Sequence, residues 1–145
     1  MKSDNPGFSQ QSIGRATAQE QQRLQLDDAA FVLRIKQLLH LDQRPFMYEE
    51  ASLPLARFPG EVPARLATSY RICTLAQAHG IRLGKATETI SAGEANAAVA
   101  RLLGIPVGAR IWKLDRIIFA DDGRPVEWRV GYCAPREDKH LARMY

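Results

Sequence analysis

Two stretches of this chain repeat one order of residue types. Residues 39–50, LHLDQRPFMYEE, and residues 118–129, IFADDGRPVEWR, each pass from an apolar segment through an aspartate-bearing turn to Arg-Pro and then to a segment carrying glutamate. Asp121-Asp122-Gly123-Arg124 is a strong hairpin signal, because Asp and Gly accept the left-handed backbone of a tight β-turn. Leu41–Arg44 is the corresponding turn, and Pro45 suits the first position of a strand. Two hairpins in similar text suggest a weak internal repeat. They also require antiparallel pairing, which excludes an all-helical chain and a purely parallel sheet.

The remaining punctuation fills in the elements. Ser9–Thr17 reads as a short first strand. Thr17 and Glu20 match a capping box, with a short helix running to Leu24. Residues 31–40, FVLRIKQLLH, are rich in branched apolar residues and read as a strand. Residues 54–63 hold three prolines and read as loop. Thr68-Ser69 can cap a second helix with Ile72, Leu75, Ala76 and His79 at helical spacing and Gly80 at its end. Residues 81–90 read as a strand. Ser91 and Glu94 match a second capping box, and Ala95, Ala98, Val99 and Leu102 form the stripe of a third helix that ends at Gly104. Residues 109–119 and 125–134 complete the second hairpin. Helices interspersed with hairpins predict an α+β domain with one six-stranded, mainly antiparallel sheet and about three helices. Residues 1–11 read as a flexible lead-in, residues 12–145 as the domain, and the last ten residues as a charged surface segment.

At 145 residues the chain can bury a core without metal or disulfide. No window approaches the ~18 consecutive apolar residues of a membrane span, and the polar start lacks a signal-peptide core, so a cytoplasmic location is expected. A net charge of +4, with 20 basic residues spread among 16 acidic ones, gives no nucleic-acid face. Cys73, Cys133 and the three histidines lack metal-ligand spacing, and the chain shows no phosphate loop, GxSxG or HExxH. Neither metal nor cofactor is expected. Cys73 reads as a buried structural thiol, and His79 as a surface or edge residue.

The charged residues of the hairpins carry more chemistry. Glu127 and Arg129 share a strand face, and only one of Glu49 and Glu50 can face any given way. Left open to water, such a pair is an ordinary surface salt bridge. Covered by a helix or loop, it suits a polar or anionic ligand. Arg116 on the preceding strand can join it. Thr68, Ser69 and Tyr70 bring hydroxyls and free amides to the opening of the second helix, although Tyr70 reads equally well as a core aromatic. Trp112 and Trp128 fit burial or a subunit interface better than ligand stacking.

Taken together, the first hairpin with FPG and TSY (residues 58–60 and 68–70) and the long stretch ETISAGEANAAVARLLGIPVGARIWKLDRIIFADDGRPVEW (residues 88–128) resemble the UTRA domain, the effector-binding domain of HutC-type regulators in the GntR superfamily. The resemblance spans residues 12–144. It implies a fold like that of chorismate lyase, enclosing a pocket for a small polar metabolite. It implies a homodimer, and DNA contact only through a winged helix–turn–helix domain outside this chain. Carried onto this sequence, the ligand-binding positions are Glu49, Thr68, Tyr70, Arg116, Glu127 and Arg129. Gln37 and Leu39 stand where family pockets often place arginines, which argues against a tightly held phosphate there. Two other readings stay open: a chorismate lyase-like enzyme, and a dimerisation module with a pocket that binds nothing.

Overall fold

A computed structural model describes residues 8–61 and 70–135. The elements run β1 (Phe8–Arg15), α1 (Ala18–Leu24), β2 (Phe31–Leu41), β3 (Arg44–Pro54), a single 3-10 turn (Leu55–Arg57), α2 (Ile72–Ala78), β4 (Leu83–Glu94), α3 (Ala97–Leu103), β5 (Arg110–Ala120) and β6 (Pro125–Cys133). All six strands form one antiparallel sheet in the order β1-β2-β3-β6-β5-β4. The expected α+β architecture with six strands and three helices is what the chain adopts. The first strand opens at Phe8, ahead of the expected domain start at residue 12.

The repeat seen in the hairpins is wider than the hairpins. Each half of the chain is a strand, a helix and a hairpin, and the two halves meet where β3 pairs with β6. The turns themselves differ. Asp42 and Gln43 form a two-residue loop with φ of 55° and 66°, the left-handed pair that matches strand twist. The second hairpin uses the longer Asp121–Arg124 turn, in which Gly123 takes a φ of 86° and the Asp122 carboxylate accepts from the Arg124 amide.

Helices cover both faces of the sheet. α1 and α3 lie on one face. Leu24 of α1 packs with Val32 and the half-buried Trp128. Val99, Ala100 and Leu103 of α3 pack on Leu38, Tyr48 and Ile111. On the other face, Phe58 and α2 residue Ile72 close over Leu33, Ile35, Ala51, Leu53 and Ile118.

Two helix starts differ from expectation. Ser91–Glu94 do not cap α3. They continue β4 and pair with Arg110–Lys113 of β5, and the Asn96 side chain caps α3 by accepting from the Val99 amide at 2.9 Å. The buried stripe is accordingly Val99, Ala100 and Leu103, with Ala98 exposed. Helix α2 begins at Ile72 with Arg71 as its N-cap and no side-chain cap; Thr68-Ser69, expected to cap it, lie outside the described residues, as do most of the lead-in and the charged last ten residues. Cys73 is exposed on α2, not buried, because Ile72 and Ala76 take the inward face.

The capping box of α1 is present in full, and its Glu20 does more than cap. Its carboxylate is 5% exposed and accepts from Arg34 Nε and Nη2 at 2.9 and 2.7 Å, from Ser52 Oγ at 2.7 Å and from the Thr17 amide at 2.9 Å. Burial alone would raise its pKa, but the bonds from Arg34, Thr17 and Ser52 overcome this and hold it at about 2. Glu20→Gln is expected to cost about 2 kcal/mol in urea unfolding at pH 7. Because the folded pKa lies below the unfolded one, the difference between wild type and variant should be full above about pH 4.5 and shrink as pH falls toward 2.

Candidate functional site

The strand register fixes which side chains meet on the face covered by α2. Gln37 of β2 is opposite Glu49 of β3. Glu49 is opposite Gly131 of β6, two residues from Arg129. Arg129 is opposite Arg116 of β5, and Glu127 is opposite Ile118. Alternation therefore places Gln37, Glu49, Glu127, Arg129 and Arg116 on one face, and puts Glu50 on the opposite one, where it is exposed.

At the centre is Glu127, with 0% exposure. Its Oε2 accepts from the Tyr70 hydroxyl at 2.5 Å. Its Oε1 lies 3.8 Å from Arg116 Nη2 and 3.8 Å from Arg129 Nε, too far for hydrogen bonds. Among the described residues neither Glu127 Oε1 nor Arg129 Nε has a hydrogen-bond partner, and both are buried. Arg129 Nη1 is 3.7 Å from Glu49 Oε2. Burial raises the pKa of Glu127 to about 7, opposed by the bond from Tyr70 and reinforced by the charge of Glu49. Tyr70 is pushed well above its ordinary range by burial and by the carboxylate it faces.

Gln37 holds this group together, a role no local sequence pattern announced. It is 2% exposed. Its Oε1 accepts from the Tyr70 amide at 3.0 Å, while its Nε2 donates to Glu49 Oε1 at 3.0 Å and to the Tyr70 carbonyl at 3.4 Å. The segment leading into α2 is thereby pinned to the sheet, and the Tyr70 ring is aimed at Glu127. Of the residues expected at a site, Glu49, Tyr70, Arg116, Glu127 and Arg129 converge here. Thr68 lies outside the described residues. Trp112 and Trp128 are both half-buried and stand on opposite faces, Trp112 beside Met47 and Leu114 and Trp128 beside α1. His79 is not a plain surface residue: its ring packs edge-on against Phe58 and its Nε2 is 3.0 Å from Glu61 Oε2. No group of three or more His, Cys, Asp or Glu among the described residues is placed to hold a metal ion.

A covered polar cluster on a six-stranded sheet can be set beside known proteins. The UTRA domain family matches residues 8–137. This chain belongs to the UTRA domain family. Among curated proteins it is 30% identical over 107 residues to the HTH-type transcriptional regulator Rv0792c of Mycobacterium tuberculosis, covering 72% of this chain and 40% of that protein. The chain thus spans well under half the length of that relative. Among solved structures it is similar to the ligand-binding domain of a GntR-family transcriptional regulator from Bordetella bronchiseptica, with 26% identity, a TM-score of 0.77 and coverage of 88% and 84% of the two chains. It is likewise similar to a transcriptional regulator from Streptomyces coelicolor, with 28% identity, a TM-score of 0.77 and coverage of 86% and 82%. UTRA domains are the effector-binding domains of GntR-family transcriptional regulators, and this chain is one of them.

In this UTRA domain the burial of Glu127 should be measurable as a pH effect. Its folded pKa is raised, so stability is lost as pH rises from about 4.5 to about 7, where the unfolded chain ionises first. Glu127→Gln keeps an acceptor for Tyr70 and removes the titration. Relative to wild type, the variant is expected to gain up to about 3 kcal/mol between pH 4.5 and pH 8, read from urea unfolding at the two pH values. Tyr70→Phe should instead lose about 1–3 kcal/mol at low pH, where the carboxyl is left without its hydroxyl partner.

Proposed function

We propose that this UTRA domain senses a small polar metabolite at the cluster of Glu49, Tyr70, Arg116, Glu127 and Arg129, with Thr68 as a further contact. One observation carries the reading. Among the described residues Glu127 Oε1 and Arg129 Nε, an acceptor and a donor buried 3.8 Å apart, make no hydrogen bond. Buried polar atoms are normally bonded, and a ligand offering both a donor and an acceptor would satisfy the two together. Gln37 occupies the place where an arginine would attract phosphate, which favours an uncharged or zwitterionic effector.

The wider role follows from the regulators this chain resembles. We place it in the HutC subfamily, in the cytoplasm, as a sensor and not an enzyme. Effector binding would shift the placement of a separate winged helix–turn–helix domain and so alter its hold on DNA, which requires the ligand to favour one arrangement over another. The working unit would be a homodimer. In support, β4 is a twelve-residue edge strand, exposed along nearly its whole length, with Ile90 49% exposed. Long uncovered edges are templates for pairing with another chain.

A thermal-shift screen against amino acids, imidazole carboxylates, aromatic acids and sugar phosphates tests the sensor. A true effector at about 100 times its dissociation constant should add about 2.7 kcal/mol of stability, and Arg129→Ala should abolish the gain. Hits confined to sugar phosphates would overturn the assignment of an unphosphorylated ligand. For the dimer, Ile90→Lys is expected to raise the monomer fraction in light scattering at micromolar concentration; an unchanged dimer would remove the β4 edge from consideration.

A further inference from the structure

The opposite face of the same strands carries a second cleft that the effector reading does not use. It is about 280 Å³ and lies between the start of α1 and strands β2, β3 and β6, just below the ~300–1,000 Å³ typical of ligand sites, so its occupant must be small. The Glu20–Arg34 ion pair lines one side. With that pair neutral, the charged groups lining the cleft that close no ion pair among the described residues are Lys36 and Glu50.

These two residues are directly opposed in the register of β2 and β3, where Cβ atoms are about 5 Å apart. Among the described residues they close no ion pair, with each other or with a third group. Glu50 accepts from the Tyr48 hydroxyl through Oε2 at 2.8 Å, which steadies it, and among the described residues Oε1 has no hydrogen-bond partner. The floor beside them is Trp128 and Val130. The Trp128 indole is fixed by its bond to Asp115 Oδ1 at 3.0 Å and by Arg23 of α1 stacked 5.2 Å from the ring centroid. A cation placed here would meet Glu50 but also Lys36, and an anion the reverse. Only a ligand carrying both charges a short distance apart matches the pair, with an apolar part left to lie on Trp128 and Val130.

We propose that this cleft is a second binding site, selective for a small zwitterion of the α-amino-acid type: ammonium on Glu50, carboxylate on Lys36, aliphatic side chain against Trp128 and Val130. It is separate from the Tyr70–Glu127 cluster and stands back to back with it through the sheet.

The test is a two-dimensional amide and indole NMR titration of the whole chain with each of the twenty L-amino acids, the Trp112 indole on the other face serving as internal control. At least one aliphatic amino acid is expected to shift the Trp128 indole and the Lys36 and Glu50 amides saturably while leaving Trp112 in place. Its amine and its carboxylic acid, each lacking one charge, should bind about tenfold more weakly or worse, as should the amino acid itself to Lys36→Met and to Glu50→Gln. Both positions are exposed, so the variants should fold, and Tyr70→Phe should leave this binding unchanged. Silence at Trp128 across all twenty amino acids would overturn the proposal. So would binding that both variants retain, or shifts confined to Gln37, Tyr70 and Glu127.

Discussion

A carboxylate with no contact with water has to be surrounded by groups that tolerate it, and much of this domain is arranged around that requirement. Glu127 sits in a central strand under α2, with Tyr70 bonded to one oxygen and two guanidiniums within 3.8 Å of the other. Burial still raises its pKa to about 7, with the bond from Tyr70 opposing the rise. The path of the chain into α2 follows from this cluster. Tyr70 can reach Glu127 because Gln37 grips both its amide and its carbonyl, and Gln37 also ties Glu49 into the group. The cluster is therefore a brace between the sheet and its cover.

On the other face a comparable brace holds α1. Glu20 reaches Arg34 of β2 and Ser52 of β3, and Arg23 reaches Asp115 of β5. Asp115 and Trp128 alternate with Arg116, Glu127 and Arg129 along the same two strands. Any displacement of β5 or β6 under α2 is therefore felt by the groups that anchor α1. The two faces are mechanically coupled through these strands.

The parts of this arrangement that sequence made legible are those set by near neighbours. The hairpins, the Thr17–Glu20 box and the Gly104 stop depend on residues three or four apart, and all three stand where their residue types indicate. The pairing of Glu127 with Arg129 on one face followed from strand alternation alone. Ser91 and Glu94 carried the same kind of local signal and misled, because pairing with Arg110–Lys113 extends β4 through them before the chain can turn. Asn96 then provides the cap. Gln37 gave no sign of its role, since its partners are 12 and 33 residues away and become neighbours only once the sheet has formed. The exposure of Cys73 was hidden for a related reason: which side of α2 faces inward depends on the sheet beneath it.

Lys36 and Gln37, Glu49 and Glu50, Glu127 and Trp128 are adjacent in the chain yet belong to opposite surfaces. Each strand is thus a tape read on two sides at once. Inserting or deleting a single residue within β2, β3 or β6 would not merely shift the surroundings of one surface. It would exchange the two, bringing Trp128 under α2 and sending Glu127 out beneath α1. Replacing residues in these strands, or lengthening the turns between them, changes one surface alone, whereas a one-residue insertion is absorbed only where a bulge can form, as the register shifts at Leu39/His40 and Ile118/Phe119 show.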